Sequence, residues 1–323
     1  MLVREAMIHC AVCFHDSGSM YKTVYCALLS LFEHASDSVH VHALIDESVI
    51  PYKHWLQELC ESFHNTISFY ESVNIPDDIL AMFPGNVGAY TNASLFRMCL
   101  HEYLPENINK VVYFDCDIIF ERDIAELWNM DLGSAWMIAA HDPERVWSSR
   151  KKKYYLDALH IDEKRYFNSG VLLMNLKALR AASEKENIFW HTYRQKADYF
   201  STLKFPVFDQ DLLNHMLSGD TEKLQLVDAT YNYELCLHDR RFMRMKELEG
   251  MILHFPALKP WQKFFPAQMI YWKYFLKSPW RDEALPMIEE RIFDPADRIW
   301  PLLLWIWKRH EKFRWLTKLY AHR

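Results

Sequence analysis

Lys110-Val111-Val112-Tyr113-Phe114-Asp115-Cys116-Asp117-Ile118-Ile119-Phe120 is the stretch that decides the fold. Val111 to Phe114 is a run of β-branched and aromatic residues, which fits a strand covered on both faces. Such a strand would not end on two carboxylates without something to bind them, because a buried unpaired charge is expensive. In an extended segment the side chains of 115 and 117 point the same way, so both can face one cation. Open α/β sheets hold their ligands beyond the carboxyl ends of their strands. The stretch therefore predicts a divalent metal site holding a phosphate-bearing ligand. A lone Asp-x-Asp more often marks a turn or a helix cap, so the rest of the chain has to supply support.

Upstream, the chain alternates strand and helix patterns. Ile8 to Phe14 reads as a strand, with a polar turn at His15-Asp16-Ser17-Gly18-Ser19 and a helix over residues 21–33. Val39 to Ile45 alternates as a second strand. A helix over 52–63 and a strand at Thr66 to Tyr70 follow. This βαβαβ opening predicts a Rossmann-like α/β fold with a mostly parallel sheet flanked by helices. His40 and His42 fall on one strand face and read as solvated rather than metal-bound. Thr91 or Asn92 can cap a helix over 93–103 that carries Arg97, a group able to hold a carboxylate or a phosphate.

Downstream, residues 136–141 form a strand pattern ending at His141-Asp142. The basic run Arg150-Lys151-Lys152-Lys153-Tyr154-Tyr155 reads as an exposed helix or lid. In Asn168-Ser169-Gly170, small polar residues precede an apolar strand, which suits close backbone approach to a ligand. Asn168 can donate and accept, as sugar hydroxyls require. Phe208-Asp209-Gln210-Asp211 opens a helix, with Asp209 placed as a cap or a sugar ligand. Met251 to Phe255 is a strand ending near His254, a nitrogen ligand, and Lys259 follows as a positive charge for a diphosphate.

Composition sets the frame. The chain has 323 residues, half of them hydrophobic and only 7 of them glycine, so it is a packed globular protein. A net charge of −6 argues against a nucleic-acid partner. Seven scattered cysteines fit reduced core residues. Cys10 and Cys13 would point to opposite faces of their strand and there is no second CxxC, which argues against zinc. Residues 1–6 lack the features of a signal peptide, and the apolar run 299–307 is short and contains Pro301. The expected location is cytoplasmic, peripheral at the inner face of the membrane. The final stretch, residues 298–323, has seven Lys or Arg against one acid, Glu311, with Trp300, Trp305, Trp307 and Trp315 among them. That mixture suits an interfacial helix on anionic lipid.

Four blocks taken together, KVVYFDCDIIF, FNSGVLLMNL, FDQDLLN and ILHFPALKPW, resemble glycosyltransferase family 8 in order and spacing. This is the family of bacterial lipopolysaccharide galactosyl- and glucosyltransferases and of glycogenin. The resemblance implies a GT-A fold over residues 1–265, and the aromatic, basic composition of 266–323 reads as a helical extension. The resemblance also implies retaining transfer of glucose or galactose from UDP-glucose or UDP-galactose to a glycan or glycoconjugate. By the same resemblance, Asp115, Asp117 and His254 are ligands to Mn²⁺ (Mg²⁺ being the alternative), and Lys259 reaches the diphosphate. Arg97, Asn168, Asp209 and Gln210 surround the donor sugar, with Gln210 and Asp209 nearest the chemistry, and Asp16 contacts uridine. The family's Asn-Tyr pair of the first loop is Ser19-Met20-Tyr21 here, which leaves the stacking role to Tyr21 or Met20. The His254 loop is one residue short, with Ala257 near the usual glycine position. No carboxylate stands out as a covalent nucleophile, and Gln210 is a poor one, so the family's front-face route fits. Two rival readings are a nucleotide-sugar-binding subunit without turnover and an Asp-x-Asp phosphatase. The second wants a nucleophile near the N-terminus and a Thr or Val where Ile119 stands.

Overall fold

The structure, a computed structural model, describes residues 7–16, 18–83, 92–142, 149–203, 207–235, 245–256, 259–260 and 266–284. Its main sheet has seven strands, ordered β3-β2-β1-β4-β7-β6-β8. They are β1 (Ile8–Phe14), β2 (Val39–Ile45), β3 (Thr66–Tyr70), β4 (Lys110–Phe114), β6 (Met137–His141), β7 (Phe167–Asn175) and β8 (Leu224–Val227). The first three strands match their expected bounds. Only β7 runs against its neighbours, pairing antiparallel with both β4 and β6, so the sheet is mostly parallel as expected. A second, small sheet is ordered β5-β10-β9, from β5 (Ile118–Phe120), β9 (Tyr233–Glu234) and β10 (Ile252–His254).

The quoted stretch therefore serves both sheets. β4 is buried from Val111 to Phe114, and β5 is buried throughout. Between them Asp115-Cys116-Asp117 forms a turn rather than the extended segment the spacing suggested. A turn is needed because the chain passes from the edge of one sheet into another, which a straight strand cannot do. β5 pairs antiparallel with β10 and sets Ile118 opposite His254. That register carries a residue far away in sequence to the carboxylates.

Two apolar layers enclose the main sheet. Cys10, Val12 and Phe14 of β1 face one layer, against the helix Met20–His34. Ala11 and Cys13 face the other, against residues 93–104 and the helix Ile188–Ser201. The two cysteines thus lie on opposite faces, as expected. Tyr271, Trp272 and Tyr274 of the helix Met269–Phe275 are buried in the first layer, so the aromatic C-terminal stretch begins by packing into this core. Lys273 Nζ donates to the buried Glu121 at 2.9 Å, and the Tyr274 hydroxyl donates to the same carboxylate. No helix among the described residues is long and apolar enough to cross a membrane.

The helix expected over 93–103 is a 3-10 run, Asn92–Cys99, followed by one α turn, Leu100–Tyr103. Ala93, Leu95, Phe96, Arg97, Met98 and Cys99 are all buried, so no single apolar stripe favours the α period. The helix expected over 52–63 spans Lys53–Ser62 and is preceded by a 3-10 turn, Glu47–Tyr52, that holds Pro51.

His42 is buried rather than solvated, which corrects the sequence reading for that residue, while His40 is half-buried. His9 Nδ1 lies 3.0 Å from His42 Nε2, and His42 Nδ1 lies 2.9 Å from the Tyr70 hydroxyl. His40 bonds Thr66 and Ser68 across to β3. Burial, then the neighbouring imidazoles His40 and His9, push His42 down to about 3. A folded-state pKa below the usual 6.5 means the unfolded chain binds the proton more readily. This stabilising contribution is whole above pH 6.5 and is lost as pH falls toward 3, at up to roughly 1.4 kcal/mol per pH unit. Melting curves from pH 7.5 to 5 should therefore fall more steeply for the wild type than for His42→Gln. Parallel slopes would show that His42 does not carry this acid sensitivity.

Candidate active site

β1 and β4 both end at one edge of the main sheet, and the antiparallel β7 begins there. Asp115 follows β4 directly, and its N–H donates to the Gly170 carbonyl of β7 at 2.8 Å. One ligand atom each from Asp115, Asp117 and His254 lies within 4.8 Å of the others, and this is the single such metal-capable group among the described residues. His254 Nε2 is 3.7 Å from Asp115 Oδ2 and 3.5 Å from Asp117 Oδ1. Lys259 also donates to Asp117, and to the Phe255 carbonyl at 3.2 Å.

The charge states agree with this crowding. Burial alone would raise the Asp117 carboxyl, but the Lys259 ammonium and the His254 imidazole hold it below the usual carboxylate range. Burial would likewise lower His254, and the Asp117 and Asp115 carboxylates raise it instead. The two shifts are reciprocal: the positive charges of Lys259 and His254 favour the ionised Asp117, and the carboxylates favour the charged His254. Two carboxylates and an imidazole form a mixed oxygen and nitrogen donor set that suits a first-row divalent ion. The residues therefore fit the metal.

Space behind the His254 ring is kept by a glycine. A Cβ on Gly170 would come within 2.4 Å of His254 Cε1, 2.7 Å of its Nδ1 and 2.9 Å of Asn168 Oδ1. The sequence suggested that Gly170 admits a ligand; here it admits the ring of a metal-capable side chain.

Arg97 connects this group to the rest of the site. Its Nη2 donates to Asp115 Oδ1 at 2.8 Å, and its Nη1 donates to Ser169 O at 2.9 Å and Ser169 Oγ at 3.0 Å. Its Nε lies 3.2 Å from Asp209 Oδ2 and donates to Ser94 O at 3.0 Å. The guanidinium sits over the Tyr113 ring, 4.6 Å from its centroid, and the Tyr113 hydroxyl donates to Asp115. Asp209 is almost wholly buried, and burial raises its carboxyl against the pull of Arg97. Gln210 accepts at Oε1 from the Ser169 N–H at 3.0 Å, and its Nε2 donates to the Tyr166 hydroxyl at 2.8 Å.

Asn168 is used within the protein. Its Oδ1 accepts from Gly170 N at 2.7 Å and Asn232 Nδ2 at 2.8 Å, and its Nδ2 donates to Glu234 Oε1 at 2.5 Å. Asp16 Oδ1 accepts at 2.7 Å from the N–H of Met20, the first residue of the helix Met20–His34. The Tyr21 ring is stacked on Tyr52 with 3.9 Å between centroids, and meets Trp280 edge-on at 5.2 Å. The structure thus brings Asp115, Asp117, His254, Lys259, Arg97, Asp209 and Gln210 into one bonded cluster. Asn168 stands behind it, and Asp16 and Tyr21 follow β1 at the same sheet edge. Ala257 lies outside the described residues.

Sequence reasoning missed Tyr166, Asn232 and Glu234 and gave Ser169 no role of its own. Glu234 offered a signal, as a carboxylate inside a short aromatic strand. Tyr166 offered none, since an aromatic residue before a strand is ordinary core.

A mostly parallel seven-stranded sheet that meets a small second sheet at an Asp-x-Asp turn defines a GT-A glycosyltransferase. More particularly, the chain belongs to glycosyl transferase family 8, whose model matches residues 19–264. It is similar to the lipopolysaccharide 1,2-glucosyltransferase of Escherichia coli (26% identity over 212 residues, 60% of this chain and 57% of that protein). It is also similar to a xylosyl- and glucuronyltransferase, LARGE2s, of Gallus gallus (25% over 273 residues, 80% of this chain and 34% of that one). The chain thus spans between a third and three-fifths of the length of these two relatives. Among solved structures, the galactosyltransferase LgtC in complex with donor and acceptor sugar analogs matches the fold. Its TM-score is 0.67 at 20% identity, over 85% of this chain and 99% of that one.

Proposed function

We propose that the protein is a Mn²⁺-dependent, retaining hexosyltransferase that moves glucose or galactose from UDP to a sugar on a glycan or glycoconjugate. The observation that carries this reading is the convergence of Asp115, Asp117 and His254 at the sheet edge, with Lys259 on Asp117. Membership of a glycosyltransferase family, and relatives that transfer glucose or galactose, support it further.

The chemistry asks for charge control. Negative charge builds on the departing diphosphate as the glycosidic bond breaks. A divalent ion held by Asp115, Asp117 and His254 would supply Lewis-acid assistance to that leaving group. Three carboxylates, Asp115, Asp117 and Asp209, meet two basic side chains, Arg97 and Lys259, so the pocket alone does not attract a diphosphate. Lys259, tied to Asp117 near the surface, is the ammonium that turns to the phosphate oxygens. Arg97 neutralises Asp209 and holds Asp115 in place while its backbone bonds fix Ser169. Asp209 and Gln210 then face the donor sugar, with the Gln210 oxygen directed at the positive charge that develops on the sugar. Asp16 contacts the uridine and Tyr21 stacks on it, while Asn168 supports the sugar pocket from behind.

A panel of UDP-sugars tests this reading through UDP release with Mn²⁺. UDP-glucose or UDP-galactose should lead, and UDP-xylose and UDP-glucuronate should trail. A leading UDP-xylose would keep the family and remove the hexose assignment.

The basic, tryptophan-rich residues 298–323 lie outside the described residues. We keep for them the reading of an anionic-lipid anchor that makes the protein peripheral at the membrane. Deleting 298–323 should abolish co-sedimentation with anionic vesicles and spare UDP-sugar turnover. High salt should weaken the binding of the intact chain, because exposed charges are screened within about 10 Å at 0.1 M. Unchanged sedimentation after the deletion would sink the anchor.

A further inference from the structure

The Gln210 amide is held at both ends. A backbone N–H can only donate, so the Ser169 N–H at 3.0 Å fixes which end of the amide is the oxygen. The Ser169 hydroxyl adds a longer contact to the same oxygen at 3.3 Å. The other end, Nε2, donates to the Tyr166 hydroxyl at 2.8 Å. Tyr166 is itself held in place: its ring is almost wholly buried, its carbonyl accepts from Asp142 N at 3.0 Å, and its N–H donates to Glu163 O at 3.4 Å. Burial first, and the nearby Asp211 carboxylate second, keep its hydroxyl well above the ordinary tyrosine range, so it stays neutral. The phenol oxygen is therefore a fixed, uncharged acceptor.

Ser169 is in turn held by Arg97, which is held by Asp115. A continuous line of bonds runs from the metal-capable carboxylate through Arg97, Ser169 and Gln210 to Tyr166. We propose that Tyr166 is a positioning residue for glycosyl transfer, which aims the Gln210 carbonyl oxygen at the reacting carbon. The proposal rests on the reading above that Gln210 faces the donor sugar. Two physical effects follow from the geometry. Donation from Nε2 to the phenol oxygen fixes the amide plane, and it also polarises the amide so that Oε1 becomes more negative. Without the hydroxyl, the half-buried Nε2 loses the bond that holds it, and the side chain tilts toward another partner. A displacement of about 1 Å in such a group can lower the rate about 100-fold.

Tyr166→Phe removes only the oxygen and keeps the ring. In the full chain, with the UDP-hexose that the wild type uses best, kcat should fall roughly 10- to 100-fold. KM for that donor should change by no more than about threefold, since the lost effect belongs to the transition state. Mn²⁺ affinity, read by electron paramagnetic resonance, should match the wild type because the metal-capable residues lie at the far end of the line. Gln210→Ala should also lower kcat, and adding Tyr166→Phe to it should change kcat no further, since Tyr166 acts through Gln210. Additive losses, a kcat for Tyr166→Phe within twofold of wild type, or a joint collapse of Mn²⁺ affinity and melting would each overturn the proposal. The last of these would assign Tyr166 to the scaffold. Wild-type kcat in Gln210→Ala would overturn it differently, by removing Gln210 from the reacting centre, and that outcome is read from the single variant alone.

Discussion

Asp117→Asn is expected to lower turnover by several orders of magnitude while leaving the fold nearly intact. The change keeps the side chain's volume and removes the charge that faces His254 at 3.5 Å and Lys259. His254→Ala should do the same, because it removes the one nitrogen donor of the metal-capable group. Nothing local ties these residues together: they meet only through the β5–β10 register, which sets Ile118 opposite His254. If both grip one ion, the double variant should be little worse than the worse single one, as for residues that act as a unit. Both singles should also need more Mn²⁺ for half-maximal rate. Melting should move little for Asp117→Asn, since Lys259 sits near the surface and can turn to water. Turnover against Mn²⁺ concentration for the three variants is the measurement, and fully additive losses would show that the two side chains do not share an ion.

Arg97→Met is expected to give the second large effect, on stability as well as activity. Arg97 is buried with Asp115 at 2.8 Å and Asp209 at 3.2 Å. Removing the guanidinium strands the Asp209 carboxylate, only 3% exposed, in a place water does not reach. Breaking a buried pair from one side costs about 3–5 kcal/mol, which for a chain of this size is a fall in Tm of roughly 4–7 °C. It also frees Ser169, and with it the oxygen end of Gln210. Asp209→Asn added to Arg97→Met should recover part of the Tm, because the stranded charge is gone, and should recover none of the activity. Thermal melts of both variants decide this. An Arg97→Met protein that melts within 2 °C of wild type would show that the pair carries little.

Much of this arrangement was legible from residues alone. Strand ends at Phe14, Ile45 and Tyr70 follow from β-branched and alternating runs bounded by polar turns, a local signal. The Asp-x-Asp after a buried strand was legible for the same reason. The shape of that segment was not: spacing suggested an extended pair, and the structure makes a turn because the chain changes sheets there. That second sheet is built from strands of two and three residues, too short to leave a periodic signature. The antiparallel sense of β7 was hidden too, since a strand buried on both faces reads alike in either direction. His40 and His42 of β2 looked solvated because each alone is a polar residue on a strand. Their bonding arises only when β1, β2 and β3 lie side by side. Roles at the site followed from four blocks read together. The bonded line from Asp115 to Tyr166 needed β4, β7, the 3-10 run and the helix Asp209–Leu217 in place at once.

The proposed metal-dependent transfer has one direct measurement. UDP release from UDP-glucose and UDP-galactose can be followed in EDTA and then with Mn²⁺ restored, beside Mn²⁺ binding by electron paramagnetic resonance. The predicted result is negligible release in EDTA, recovery as Mn²⁺ is added, and a single bound ion whose signal is lost in the Asp117→Asn/His254→Ala variant. Full activity in EDTA, or an unchanged Mn²⁺ signal in that double variant, would contradict it.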